Sequence, residues 1–517
     1  MRQSCGGSEL YIDLIQMVPN PEDGPNNYGH TKNHLNLRGG KKHMKMKKIV
    51  AMLLALVMVV GVATACKSKE TPTSVTTATT TAKVTDATTA VPTTAVTTAT
   101  ATTPPNVVPP ATVTDEDTTP IVIYAWNNEF QGLIDKYYVA DNAGFTYDYQ
   151  ITENTTYQTK LDSVLATGDG APDIFLVEAD YAKKYVNSDN SLNINELGID
   201  YAELANQYGY TYLFMQDDAG AIKALSWQSC PSGVFYNKTL AQKYLGSSAV
   251  ADVQKSFASF DAFLAMAQKL NTDSAGKVKA ISGYDDIWRS FANTRATGWV
   301  VDGKINIDPQ MDKYLDYAKQ IKDEGLSFET AQWSADWTAN MSNSSVLSYW
   351  GPMWLAQFCM GFNYAADGKT LADGANPTTG DWDFCAAPVS FFWGGTWITA
   401  SKYDNQKATT ADIMRYFTIN STSMAKMAAD GQFVNNVPVM TTVANDSTFG
   451  INFLGGANPI GLMLQEAMKI DVSTVTGNDQ AINTIWASIV TSYTQGDIKT
   501  VADAKAQFIT DCADVIA

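Results

Sequence analysis

No histidine occurs after His43, in a chain of 517 residues that holds only three. A histidine general base, a Ser-His-Asp or Cys-His centre and any His-ligated zinc or iron site are therefore excluded downstream of that point. Arginine is nearly as scarce: past Cys66 only Arg289, Arg295 and Arg415 remain. The first 65 residues carry 8 of the 36 Lys and Arg and 4 of the 53 Asp and Glu, so the rest has a formal net charge of −21. Such a surface disfavours nucleic acid and anionic lipid headgroups as partners. Having only three arginines and no histidine there also disfavours anionic solutes, although a nest of backbone amides can still hold one. There is no G-x-x-x-x-G-K-[ST] phosphate loop and no internal repeat.

Long apolar runs are absent too, with one exception near the start. Met44-Lys-Met46-Lys-Lys48 leads into an apolar run from Ile49 to Val62, followed by Ala63-Thr64-Ala65-Cys66. A basic segment, a short apolar segment and small residues before a cut are the parts of a secretory signal. The run is shorter than the roughly 20 apolar residues a spanning helix needs. A cysteine directly after the small residues resembles the lipobox of bacterial lipoproteins, with Ala63 where leucine is usual. That resemblance implies that 44–65 is removed and that Cys66 becomes the lipid-bearing first residue. It places the remainder on the outer face of the cytoplasmic membrane, as in a Gram-positive-type bacterium. Residues 1–43 precede a signal that should open the chain, so Met44 or Met46 is the expected start.

From Lys67 to Thr119 no aromatic residue occurs, and Thr, Ala, Val and Pro make up most of the segment. It cannot bury enough surface to fold, so 66–119 reads as a disordered tether. The composition changes at Pro120, after which all 12 tryptophans appear. About 400 residues exceed what one core usually supports, so two lobes are expected. Cys230, Cys359, Cys385 and Cys512 lie in this part. A core of that size needs no disulfide staple, and buried free thiols are expected.

Ile121 to Trp126, Phe145 to Ile151 and Pro172 to Val177 read as strands, separated by helices. Tyr157, Leu161, Val164 and Leu165 share one helical face, and Gly168 ends that helix. This β-α-β-α-β order predicts a parallel sheet covered on both faces. Further strands are predicted at Ala221–Trp227, Gly233–Tyr236, 346–350, 384–389 and 396–400. An Asp-Gly hairpin is expected at 300–305, and Asp308-Pro309 opens a helix carrying Met311, Leu315, Ala318 and Ile321.

Tryptophans recur at predicted strand ends: Trp126, Trp227 and Trp350, with Trp393 and Trp397 flanking Gly394-Gly395. Ligands of α/β sheets sit just beyond the carboxyl ends of strands. Flat aromatic faces suit the C–H faces of a pyranose, and carboxylates and amides suit its hydroxyls. The polar candidates are Asn128, Glu129, Glu178, Asp180, Asp285 and Asp286. Core burial of each tryptophan is the competing reading. A pair of carboxylates could instead run glycoside hydrolysis.

Five segments in order carry a resemblance: Pro172 to Tyr181, Phe235 to Leu240, Tyr349 to Trp354, Gly394 to Lys402 and Gly431 to Val434. Together, behind a lipobox, they resemble the extracellular solute-binding proteins of ABC importers, in particular the carbohydrate-binding lipoprotein group. The resemblance implies an α/β fold of the two-lobed periplasmic-binding-protein type, each lobe a mostly parallel sheet with flanking helices. Lobe 1 is expected at about 120–232 and 391–440, and lobe 2 at about 233–390 and 441–517. It further implies a monomer that binds a sugar between lobes, closes about a hinge and docks on an ABC permease, with no catalysis and no cofactor. A peptide or polyamine is the alternative solute, and a surface glycosidase the alternative class.

Overall fold

The computed structural model describes residues 112–362 and 376–516. The segment 1–43, the signal at 44–65, Cys66 and the tether up to 111 lie outside the described residues. Eleven strands occur among those described. In chain order they are β1 (Ile121–Ala125), β2 (Tyr147–Ile151), β3 (Ile174–Glu178), β4 (Ala224–Ser226), β5 (Pro231–Asn237), β6 (Val300–Val301), β7 (Lys304–Ile305), β8 (Ser348–Gly351), β9 (Trp382–Cys385), β10 (Phe391–Phe392) and β11 (Thr396–Ala400). No described helix is long and apolar enough to cross a membrane.

The first sheet has the order β2-β1-β3-β11-β4. β1 pairs in parallel with both β2 and β3, as the helical crossovers between them require. The helix Asn154–Thr167 turns Tyr157, Leu161 and Leu165 inward and ends at Gly168, whose φ of +79° suits a residue without Cβ. The hydroxyl of Tyr157 donates to the carbonyl of Leu176 at 2.7 Å, fixing that helix against β3. Each fully buried aliphatic or aromatic side chain of this layer contributes on the order of 1.5–3 kcal/mol.

The second sheet is built around β5, with β8 on one side and β9 and β10 pairing the rest of it, all antiparallel. Past β8 the sheet continues through parallel bridges, Lys279 to Val346 and Ile281 to Ser327. The expected mostly parallel sheets are mixed instead: one strand in each runs against all its partners, so every named pairing of the second sheet is antiparallel. β11 and β5 run against their neighbours because each is entered directly from the other sheet, without the crossover helix a parallel connection needs. The helix Pro309–Asp323 packs on this side. Asp308 caps it by accepting from the Gln310 amide at 2.8 Å, and Met311, Leu315, Ala318 and Ile321 are buried.

Two extended crossings join the sheets, one through Trp227–Cys230 and one through Trp393–Gly395. The Trp393 amide donates to the Cys230 carbonyl at 3.4 Å, and the Asn435 amide to the Trp227 carbonyl at 2.8 Å. The four downstream cysteines are free and buried.

The tether boundary moves. Asp115 accepts from the amides of Ala408 and Thr409 at 2.8 and 3.0 Å, and Asn405 donates to Asp117 at 2.8 Å. Gln406, just before the helix Lys407–Thr418, supplies no side-chain cap. Asp115 does so from across the fold, which is why the end of a Thr-rich segment is ordered.

Candidate functional site

Between the two sheets lies a cavity of about 460 Å³, within the range of pockets that hold small ligands. Strand ends and the crossings build it. Trp126, Asn127 and Glu129 follow β1; Glu178 ends β3 and Asp180 follows; Gln228 and the Trp393–Thr396 segment come from the crossings. From the second-sheet side come Arg289, Trp333 and Trp354. This is the position beyond carboxyl strand ends where open α/β sheets bind ligands.

Three carboxyl groups and one guanidinium set its electrostatics. Burial pushes Glu129 up to about 7. Burial, then the charge of Asp180, push Glu178 up to about 8, against the opposing pull of Arg289. Asp180 behaves oppositely: burial would raise it, but the charge and hydrogen bonds of Arg289 hold it below the ordinary carboxylate range. The Arg289–Asp180 pair is bidentate, at 2.6 and 2.8 Å, and joins the helix Trp288–Ala292 to the loop after β3. The Asp180 amide also donates to Glu178 Oε2 at 2.8 Å. The guanidinium lies 5.2 Å from the Trp393 ring. The single arginine lining the cavity is therefore already neutralised. Arg295 and Arg415 are likewise paired, with Asp479 and Glu203, away from it.

Of the residues expected from sequence, the fold brings together Trp126, Glu129, Glu178, Asp180, Trp393, Gly394 and Gly395. Trp393 is only 3 % exposed, packed edge-on to Trp354 at 4.9 Å. The glycines do allow close approach. Their φ values are +68° and +114°, and a Cβ on Gly394 would stand 3.5 Å from Glu178 Oε1.

Six of the expected residues lie outside the cavity lining. Trp227 is fully buried and stacked on Phe130 at 4.9 Å. Trp350 sits in the second core among Phe257, Phe260 and Phe263. Trp397 follows the cavity-lining Thr396 on β11, so the strand's alternation sends it to the opposite face. There its indole N–H donates to the Thr211 carbonyl at 3.1 Å. Asn128 does not line the cavity, although its neighbours on both sides do. Asp285 and Asp286 brace a loop instead: Asp285 accepts from the Gln332 amide at 2.8 Å, and Asp286 from the Trp337 indole at 2.7 Å.

Sequence reasoning missed Asn127, Asn154, Gln228, Arg289, Trp333 and Trp354. Two had a signal: Arg289 is one of three arginines, and Trp354 closes the Tyr349–Trp354 segment. Asn154 and Trp333 lie in stretches whose position only tertiary folding sets.

A second hollow of about 480 Å³ lies between the helix Leu355–Met360 with the two residues after it and Phe449–Phe453. Among the described residues it is lined by no tryptophan and by one carboxylate, Asp430, which is engaged by Lys136 at 2.9 Å and by the Tyr137 hydroxyl.

The family of bacterial extracellular solute-binding proteins matches residues 132–450. No curated protein matches the chain in sequence. Among solved structures, an extracellular solute-binding protein of family 1 is 17 % identical with a TM-score of 0.64, over 77 % of this chain and 100 % of its own. An ABC transporter associated binding protein from B. animalis subsp. lactis Bl-04, in complex with β-1,6-galactobiose, is 17 % identical with a TM-score of 0.61, over 77 % and 98 %. The galacto-N-biose/lacto-N-biose I-binding protein from Bifidobacterium longum, in complex with lacto-N-biose, is 15 % identical with a TM-score of 0.59, over 77 % and 98 %. At these identities the likeness is one of fold. The two-sheet architecture around a central cavity, and a family match across most of the folded part, lead to one conclusion: the chain belongs to the bacterial extracellular solute-binding proteins.

Proposed function

We propose that this protein is a receptor that binds a sugar or oligosaccharide in the cavity and delivers it to an ABC import permease, held at the membrane by lipid on Cys66. The observation that carries the sugar reading is the composition of one cleft. Indoles of Trp126, Trp333 and Trp354 stand beside hydrogen-bonding Glu129, Glu178, Asn127 and Gln228, and its only arginine is already paired. Such a site offers flat apolar faces and directional acceptors to a polyol and, among the described residues that line it, no free cation to an anion. Relatives of the same fold are complexes with β-1,6-galactobiose and lacto-N-biose, which supports the same ligand class here. On this reading lobe 1 is about 120–232 and 391–440, lobe 2 is about 233–390 and 441–517, and the crossings flex as the lobes close.

The test is a thermal-shift screen over sugars, peptides and polyamines, followed by calorimetry, since a ligand bound only by the native state raises stability by mass action. Saturable sugar binding with the sugar recovered intact supports the receptor. A response to peptides or polyamines alone overturns the ligand class. Release of shorter sugars on incubation overturns the receptor in favour of glycoside hydrolysis, for which Glu129 and Glu178, the two cleft carboxyls that burial raises, would be the first suspects. For the anchor, Cys66→Ala should release the chain from membranes.

A further inference from the structure

Trp333 combines three features that folding alone does not explain. Its indole is 58 % exposed, the most exposed large apolar side chain among the described residues. It lines the cavity. Its backbone sits at φ +66°, a left-handed conformation that a bulky residue adopts rarely and only when its surroundings impose it.

The surroundings do impose it. The loop from Ser327 to Ser334 is clamped onto the turn Ser282–Asp286. The Phe328 amide donates to the Ser282 carbonyl at 3.0 Å, and the hydroxyls of Ser282 and Thr330 are 2.6 Å apart. A Cβ on Gly283 would lie 1.9 Å from the Thr330 carbonyl oxygen, so only glycine lets the loop come so near. Asp285 then takes the Gln332 amide, the residue directly before Trp333. Asp286 holds Trp337, whose ring is 5.3 Å from that of Trp333. Behind Trp333 stands Trp354, its ring plane within 12° and its centroid 6.1 Å away. One side of the indole is thus backed by a near-parallel ring, while most of its surface stays open to solvent. Trp126 lines the same cavity from the first sheet.

We propose that Trp333 is an outer stacking subsite for the second or third ring of a bound oligosaccharide, so that the cleft favours longer sugars over monosaccharides. Asp285 acts as a positioning residue that sets the pose of Trp333 through the Gln332 amide. The inference rests on the sugar reading and adds to it a chain-length preference and the two residues that produce it.

The test is calorimetric titration of the full chain with glucose, maltose and maltotriose, and with galactose and β-1,6-galactobiose, against Trp333→Ala, Trp333→Phe, Asp285→Ala and Asp285→Asn. Trp333→Ala should weaken the longer sugars by about 5- to 50-fold, judged from the aromatic area a stacked ring covers. It should leave the shortest bound sugar within about twofold. Trp333→Phe should retain most of the preference. Asp285→Ala should reproduce the loss for longer sugars, and Asp285→Asn, which keeps an acceptor for the Gln332 amide, should restore it. A loss equal at every chain length, or no loss from Trp333→Ala, overturns the subsite while leaving the sugar reading intact. Failure of the parent chain to bind any of these sugars removes the sugar reading and the subsite together.

Discussion

Replacing Glu178 with glutamine should stabilise the unliganded protein at pH 9 and leave it nearly unchanged at pH 5. In the folded state this carboxyl is pushed from an ordinary 4.5 up to about 8, by burial first and by Asp180 second. The unfolded chain releases the proton near the ordinary value, so between the two the folded state binds more protons. Stability from this group is therefore fully present below about 4.5 and is lost as pH rises through about 8. At about 1.4 kcal/mol per pH unit, the full displacement sets a ceiling of about 5 kcal/mol. Glu178 lines the cavity and is only partly buried, and screening reduces the figure to about 1–2 kcal/mol. Glutamine cannot ionise, and its amide oxygen still accepts from the Asp180 amide. For a folded part of this size the gain corresponds to about 1–4 °C in melting temperature. Thermal unfolding of parent and Glu178→Gln, followed by circular dichroism at pH 5, 7 and 9, reads it directly. A melting-temperature difference that is the same at all three pH values, or a variant less stable at pH 9, would refute the electrostatic account of the cleft.

Asp115→Ala should cost about 1 kcal/mol, the usual worth of a helix cap. Correspondingly, a chain starting at residue 112 should melt like longer ones and a chain starting at 120 should melt lower; equal midpoints would show that the cap from the tether contributes nothing. Trp227→Ala and Trp350→Ala should each lower stability by about 3–5 kcal/mol in denaturant titrations, with sugar affinity per folded molecule unchanged. A specific loss of affinity in either folded variant would return that indole to the cleft.

Much of the fold was legible because it follows from local periodicity. The buried runs Ile121–Ala125 and Ile174–Glu178, the Tyr157-Leu161-Leu165 stripe and the Asp308 cap each need only neighbours a few residues away. Other features were not local. Nothing around Asp115 announces that it will cap a helix nearly three hundred residues downstream, because the cap is a long-range hydrogen bond. The direction of β5 and β11 depends on which sheet each strand is entered from, not on its own residues.

The candidate site divides the same way. Composition alone removed histidine chemistry and reduced the arginines to three, and strand-end position alone picked out Trp126, Glu129, Glu178 and the Gly394-Gly395 step. Which indoles face a cavity was decided by tertiary structure. A tryptophan carries the same apolar area in a core as in a cleft, so Trp227, Trp350 and Trp397 looked like Trp126 until packing buried them. Asp285 and Asp286 looked like ligand groups until the loop they brace was seen. Trp333 had no signal in sequence, since its exposure comes from a strained backbone held by residues some fifty positions away. Sequence determined which chemistry was available; the meeting of distant segments decided which residues share a cavity, because that depends on contacts no local pattern encodes.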